Sequence, residues 1–181
     1  MKYFIASDIH GSSEYATALL EAFEREGADQ ILLLGDLLYH GPRNDLPQGY
    51  APKAVIELLN RYKERLICVR GNCDTEVDQM VLDFPIMAEY CVLAQEDVVV
   101  YATHGHVFGE NNPPKLRGKE VLLCGHTHVP KCVQKEDYIY MNPGSVSIPK
   151  ENSWHGYMIW EKNTFIWKDV DGNVKMEYQA G

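Results

Sequence analysis

RLICVRGNCDTE, Arg65 to Glu76, runs from a short apolar segment directly into Gly71, Asn72, Cys73 and Asp74. The apolar half reads as a buried strand. The polar half is ordinary turn chemistry, yet it also offers a carbonyl, a thiol and a carboxylate at a strand end. The same order occurs twice upstream. Lys2 to Ser7 is an apolar run ending in SDIHG, and QILLL, Gln30 to Leu34, ends in Gly35 and Asp36. Between these strands lie helical patterns. Ser12 or Ser13 can cap a helix carrying Leu19, Leu20 and Phe23, closed by Gly27. Pro52 opens another, with Val55, Ile56, Leu59 and Tyr62 on one face. Three strand–loop–helix units in a row predict a parallel sheet with right-handed crossovers.

After Phe84 the texture changes. Ile86 to Leu93 and Val98 to Thr103 read as a strand pair joined by the polar AQED. EVLLCG is a further buried strand, and KCVQKEDYIYMN and YMIWEKNTFIWK both read as strand–turn–strand. The C-terminal half is therefore expected to be mostly antiparallel. No repeat, low-complexity segment or composition break marks a linker, so residues 1–181 read as a single α/β domain with mixed sheets.

The bulk numbers narrow the class. A domain of 181 residues buries roughly 70% of its unfolded surface and needs no disulfides. The five cysteines, Cys68, Cys73, Cys91, Cys124 and Cys132, are odd in number and lack CxxC spacing, which fits free thiols in a reducing compartment. The N-terminal apolar run is too short for a signal peptide, and no segment approaches a membrane span of ~20 apolar residues. A net charge of −9 argues against a nucleic-acid-binding surface. A cytoplasmic protein that engages neither membrane nor nucleic acid is expected.

Metal-type side chains recur at strand ends: Asp8 and His10, Asp36, Asn72, His104 and His106 in THGH, and His126 and His128 in GHTH. In α/β folds the carboxyl ends of strands converge on one crevice. Alternation along an extended segment would let DIH and HTH each present two side chains to one spot. Any one of these residues alone is most simply a turn residue or a satisfied histidine. Together they would bury polar groups at ~1–3 kcal/mol per unsatisfied group, and a metal centre supplies the missing partner. Asp, Asn and His without Cys favour Mn²⁺, Fe²⁺, Co²⁺, Ni²⁺ or Zn²⁺ over oxygen-bound Mg²⁺ or Ca²⁺. The ligand set exceeds the needs of one ion, which points to two ions sharing an Asp.

The ordered motifs DIH, GD, GNCD, THGH and GHTH resemble those of the calcineurin-like metallophosphoesterases over nearly the whole chain. The stretches GDLLYHGPRN, RGNCDTEVDQM, THGHVFG, GHTHVP and NPGSVSIP look closer still to the small bacterial YfcE-type phosphodiesterases. The resemblance implies a sandwich of two facing mixed β-sheets flanked by helices. It also implies two divalent transition metal ions, most simply Mn²⁺, with Asp8, His10 and His128 on the first, Asn72, His104 and His126 on the second, and Asp36 bridging. The implied reaction is hydrolysis of a small phosphodiester by in-line attack of a metal-bridging hydroxide. Catalysis would rest on Asp36, Asn72 and His104 through that hydroxide. His106 has no clear counterpart as a ligand and is read as supporting the site or facing substrate.

Cys73 departs from the family, most of which carries a histidine there to protonate the leaving group. A thiol is a poor substitute at an ordinary pKa of ~8.5, so Cys73 is read as a small filler or, alternatively, a catalytic stand-in. Asp74, the usual partner of that histidine, then becomes an N-cap or a supporting acceptor. His40 and Arg43 lie in the loop after Asp36 and could reach substrate, Arg43 by a bidentate phosphate contact. NPGS, Asn142 to Ser145, reads as a turn at a sheet edge. Trp154, Trp160 and Trp167 read as core or as a homo-oligomer interface.

A different class of reading keeps the fold and drops the reaction: a scaffold or interaction module, as in the small retromer subunit of this fold. Retention of all seven metal positions favours catalysis. A monoester dianion would call for more cationic side chains than Arg43 and Arg70 supply.

Overall fold

The computed structural model describes residues 1–180 and contains two β-sheets. Strand β1, Lys2–Ala6, leads into helix α1, Ser13–Glu26. Ser12 is the cap: its side chain accepts the N–H of Tyr15, and Gly27 ends the helix in the left-handed region at φ 58°, where a side chain would be strained. Strand β2, Gln30–Leu33, is followed by α2, Pro52–Asn60, and after a short 3₁₀ turn by β3, Leu66–Cys68. β1 pairs in parallel with β2, and β2 with β3, as the repeated strand–helix pattern predicts.

A one-turn helix α3, Glu76–Gln79, precedes strands β4, Tyr90–Gln95, and β5, Val98–Thr103. Then come β6, Glu120–Leu123, β7, Lys131–Gln134, and β8, Tyr138–Asn142. The chain closes with β9, Gly156–Glu161, β10, Thr164–Asp169, and β11, Val174–Gln179. The first sheet has the order β11-β10-β9-β1-β2-β3, and the second β4-β5-β6-β8-β7.

Strand alternation sorts the core into layers. Tyr3, Ile5, Leu32 and Leu34 of the first sheet meet Val100, Ala102, Leu123 and Met141 of the second, with Trp160, Phe165 and Trp167 filling the same layer. Phe4, Ala6, Ile31 and Leu33 face the other way, onto Leu19, Leu20 and Phe23 of α1 and Val55 and Leu59 of α2. Each such side chain contributes roughly 1.5–3 kcal/mol on leaving water. On the far face of the second sheet Leu122, Tyr138 and Tyr140 pack with Leu116. The sandwich thus has helices on one outer face and a loop on the other. Trp160 and Trp167 are completely buried, so they serve the core.

The structure refines these expectations. β4 begins at Tyr90, not Ile86; Ile86 is apolar because it packs fully buried in the helix-side core. The C-terminal half is mostly antiparallel, as expected, with β4–β5, β7–β8, β9–β10 and β10–β11 all antiparallel. The middle of the second sheet is parallel, β5 with β6 and β6 with β8, because long excursions return the chain to the same end of the sheet. Helix α3 and strand β11 go beyond these expectations: α3 is too short to show periodicity, whereas β11, VKMEYQ, alternates apolar and polar residues as an edge strand should, a legible signal that the sequence reading does not use. NPGS begins with Asn142, the last residue of β8, an interior strand, so the turn supports the middle of the sheet and not its edge.

Candidate metal centre

The ends of β1, β2, β3, β5 and β6 bring Asp8, His10, Asp36, Asn72, His104, His126 and His128 into one crevice. Asp8, His10, Asp36, His104 and His128 are almost completely buried, whereas Asn72 is exposed and His126 half-buried. This leaves one open side. The convergence does not come from strand alternation. Asp8, His10, Asp36, His126 and His128 all hold left-handed backbone, with φ of 59°, 49°, 56°, 66° and 62°. For residues with a Cβ this conformation is uncommon and costs on the order of 1–3 kcal/mol each. It kinks the chain sharply at the strand end, and the concentration of such residues here marks the site.

Backbone carbonyls set the orientation of three rings. His10 Nδ1 donates to Tyr39 O over 2.8 Å, His104 Nδ1 to Leu34 O over 2.6 Å, and His128 Nδ1 to Ile148 O over 2.7 Å. Each Nε2 is then left with its lone pair toward the crevice. Nε2 of His10 and Nε2 of His128 stand 3.2 Å apart and lie 3.4 and 3.2 Å from Asp8 Oδ1. That oxygen is buried with no hydrogen-bond partner. On the other side His104 Nε2 lies 3.3 Å from Asp36 Oδ2, 3.1 Å from Asn72 Oδ1 and 3.3 Å from His126 Nδ1.

A cation fits this arrangement. Facing lone pairs and an orphaned carboxylate oxygen are unfavourable without one. Donor atoms ~2.0–2.2 Å from an ion, at right angles to each other, fall ~3 Å apart. Asp8, His10 and His128 form one such group, and Asp8, Asp36 and His104 another. His10, Asp36 and Cys73 form a third, so a thiol comes within ligand range, which the sequence reading had not foreseen.

The charges balance locally. Burial raises the Asp8 carboxyl, but His10 and His128 outweigh it and hold it well below the usual range. Burial likewise lowers His104, yet Asp36 and Asp8 pull it up to about 9, so the two carboxylates favour a positive charge at this point, which either a proton on Nε2 or a cation on its lone pair supplies. Burial and the charge of His104 push His126 down to about 4. The Cys73 thiol is raised to about 12 by burial and the neighbouring Asp36. It stays protonated near neutrality. Its sulfur accepts Asn72 Nδ2 at 3.3 Å, which turns Asn72 Oδ1 toward His104.

The surroundings hold the strained backbone in place. Asp74 is an acceptor, not a cap: its carboxylate takes the N–H groups of Asp36, Leu37 and Gly71 at 2.8, 2.9 and 2.7 Å. Thr75 caps α3 instead, in a capping box with Asp78. Gly71 is required by close approach, since a Cβ there would run into Asp36. Ser145 and Ser147 Oγ both donate to Asp8 O, at 2.8 and 2.9 Å, and Ser7 Oγ to Asp8 Oδ2 at 2.6 Å. In the sequence Ser145 reads only as part of the NPGS turn, and nothing ties Ser147 or Ser7 to Asp8. Their one signal is a run of small polar residues in a stretch that is otherwise apolar.

A cavity of about 440 Å³ opens over the centre, lined by Arg43, Asn44, Cys73, Thr127 and Lys150 among others. Arg43 therefore faces the crevice as anticipated in position. Lys150 had no sequence signal; its backbone N–H bonds to His128 O. His40 is not among the lining residues and packs against Tyr39 and Tyr50. His106 is exposed and lies 5.4 Å from the His104 ring and 6.2 Å from that of His126.

Residues 1–164 match the model of the calcineurin-like phosphoesterase superfamily domain. The chain belongs to that family. The phosphodiesterase YfcE of Escherichia coli K12 is 51% identical over 150 residues, covering 83% of this chain and 82% of that protein. A solved structure of the E. coli phosphoesterase Yfce superposes with a TM-score of 0.96 at 43% identity, over 100% of both chains. Vps29 from Entamoeba histolytica complexed with Zn²⁺ shares the fold, with a TM-score of 0.60 at 18% identity over 100% of both chains. The metallophosphoesterase family uses divalent metals, and the cluster of Asp and His residues described above is the corresponding feature of this chain. No helix among the described residues is long and apolar enough to cross a membrane.

Proposed function

We propose that residues 1–181 act as one domain, a binuclear-metal phosphodiesterase for a small phosphodiester. The chain is a phosphoric diester hydrolase by its family and by its likeness to YfcE. Asp8, His10 and His128 would hold one ion, Asn72, His104 and His126 a second, and Asp36 both. The observation that carries this reading is the position of Asp36 Oδ2, 3.3 Å from His104 Nε2 and 3.8 Å from His10 Nε2. One carboxylate oxygen stands between two clusters of donors.

When bound, the divalent ions, Mn²⁺ or another transition metal, supply Lewis acidity and an activated water for in-line attack on phosphorus. The chain's own residues do the remaining work. Arg43 and Lys150, on the cavity wall, offer cationic donors to a phosphate anion. The tautomers fixed by Tyr39, Leu34 and Ile148 keep the ring nitrogens available. Cys73 orients Asn72 and donates no proton, so leaving groups that need little protonation suit the site best. His40 supports the 37–51 loop, its carbonyl accepting Asn44 Nδ2 at 2.8 Å.

The scaffold reading is tested by turnover, because metal binding alone does not separate the two: the Vps29 neighbour is itself a zinc complex. Chelated protein resupplied with Mn²⁺ should hydrolyse bis(p-nitrophenyl) phosphate, and Asp36→Asn should lose that activity. A folded, metal-binding protein without turnover on diesters would favour the scaffold.

A further inference from the structure

A second cavity, of about 190 Å³, adjoins the first and shares Asn72 with it. Its other walls include Arg70, Glu89, His106, Val107 and Phe108. The two cavities differ in chemistry. The larger is lined by Arg43, Asn44, Thr127 and Lys150, whereas the smaller sets an imidazole and two apolar side chains against one guanidinium and one carboxylate.

The smaller cavity is built from braced parts. Val107 O accepts Asn112 Nδ2 at 3.0 Å, and Gly109 and Asn112 exchange backbone hydrogen bonds at 3.1 and 3.2 Å. Glu110 of the same loop pairs with Lys131 at 2.6 Å and Lys135 at 2.9 Å. On the opposite wall Arg70 Nε donates to Asp74 O at 3.2 Å, and its Nη2 stands 3.8 Å from the exposed Glu76 carboxylate, a loose surface pair that a substrate group can displace. Val107 is 59% exposed, so its side chain is free to pack against a bound group.

We infer that this second cavity is a subsite for a flat, ring-sized ester group of the substrate, so that the two arms of a phosphodiester part at Asn72. The inference rests on the phosphodiesterase reading above and adds to it the class of one substituent. An apolar cavity of ~150 Å³ is enough for benzene, so the volume suits a single ring. Val107, Phe108 and the His106 ring offer faces to it, and Arg70 and Glu89 can meet polar atoms on its edge. This gives His106 a place: it contacts substrate beside the centre and is not one of the ligands.

The test compares phenylphosphonate with methylphosphonate, neither of which is an ester, by calorimetry on the full chain loaded with Zn²⁺. Phenylphosphonate should bind about tenfold more tightly, as expected when roughly 60 Å² of ring leaves water. Val107→Trp, at an exposed position that tolerates size, should bring that ratio to about one. Pro42→Trp, which narrows the larger cavity, should preserve it. Equal affinities in the unaltered protein, a ratio that survives Val107→Trp, or one lost in Pro42→Trp would each overturn the subsite. Failure of both phosphonates to bind in a chelator-sensitive way would instead overturn the phosphate site itself, and the subsite with it.

Discussion

The carboxylate of Asp74 accepts the backbone N–H of Asp36 over 2.8 Å, and its other contacts, to Leu37 and Gly71, brace the same turn. Asp36 needs that support because its backbone is left-handed at φ 56°. Asp74→Ala would strand three buried donors, each costing ~1–3 kcal/mol and not fully additive. We expect a loss of about 3–5 kcal/mol in urea unfolding, with weaker metal binding. A loss below ~1 kcal/mol would mean that Asp74 does not hold the turn.

Ser145 and Ser147 share one acceptor, the carbonyl of Asp8. Ser145→Ala should cost about 1 kcal/mol and weaken metal binding roughly tenfold, the usual effect of removing a support behind a ligand. The double variant should exceed the sum of the singles, because each serine alone still restrains Asp8. Strict additivity in a metal titration would show that the two act independently.

These supports explain which parts of the site could be read from sequence. Asp8, His10, Asp36, Asn72, His104, His126 and His128 stand at the ends of apolar runs, so their type and spacing announce them. The first three strands and two helices were equally plain, since Leu19, Leu20, Phe23, Val55 and Leu59 are periodic and buried. The serines behind Asp8 and the carbonyls behind the histidines come from distant segments brought together by the fold, and backbone carbonyls leave no trace in residue identity. Lys150 is likewise an ordinary lysine until the loop after β8 folds against His128. Left-handed backbone at Asp or His is equally invisible in a sequence, and its absence from the reading led to a wrong reason for a convergence that does occur.

Removal of metal should be visible in stability. Ligands that bind only the folded state stabilise it by about 2.7 kcal/mol at a hundredfold excess over Kd. Chelated protein should therefore gain several degrees of Tm on addition of Mn²⁺. Asp8→Asn should abolish most of the gain, because it weakens the oxygen that now has no partner. An unchanged Tm shift in that variant would remove Asp8 from the ligand set.

Acid sensitivity has a source far from the centre. Burial acts to raise Asp169, but Lys175 at 2.8 Å and the Asn173 side chain and backbone outweigh it, holding the carboxyl at about 2. A folded pKa below the unfolded value gives stability that is complete above ~3.9 and fades as pH falls toward 2. Asp169→Asn should thus cost on the order of 1 kcal/mol near neutrality, as for a solvent-screened pair, and nothing near pH 2. A constant penalty across that range would assign the effect to packing at the β10–β11 edge.

Cys73 offers the most direct test of leaving-group chemistry. Its thiol, raised to about 12, is a far weaker general acid than an imidazolium that titrates near neutrality, and its place on the wall of the larger cavity leaves space for a longer side chain. Cys73→His should therefore raise turnover chiefly on alkyl leaving groups, by ~10²-fold where protonation limits the rate, and change aryl substrates little. Because Cys73 also orients Asn72, metal affinity must be measured alongside, and a Cys73→Ala control should lower it without changing the alkyl-to-aryl ratio. Equal gains on alkyl and aryl esters in Cys73→His would show that the missing proton donor does not shape substrate choice. A gain confined to alkyl esters would mean that the cysteine is what tunes this centre to easily displaced groups.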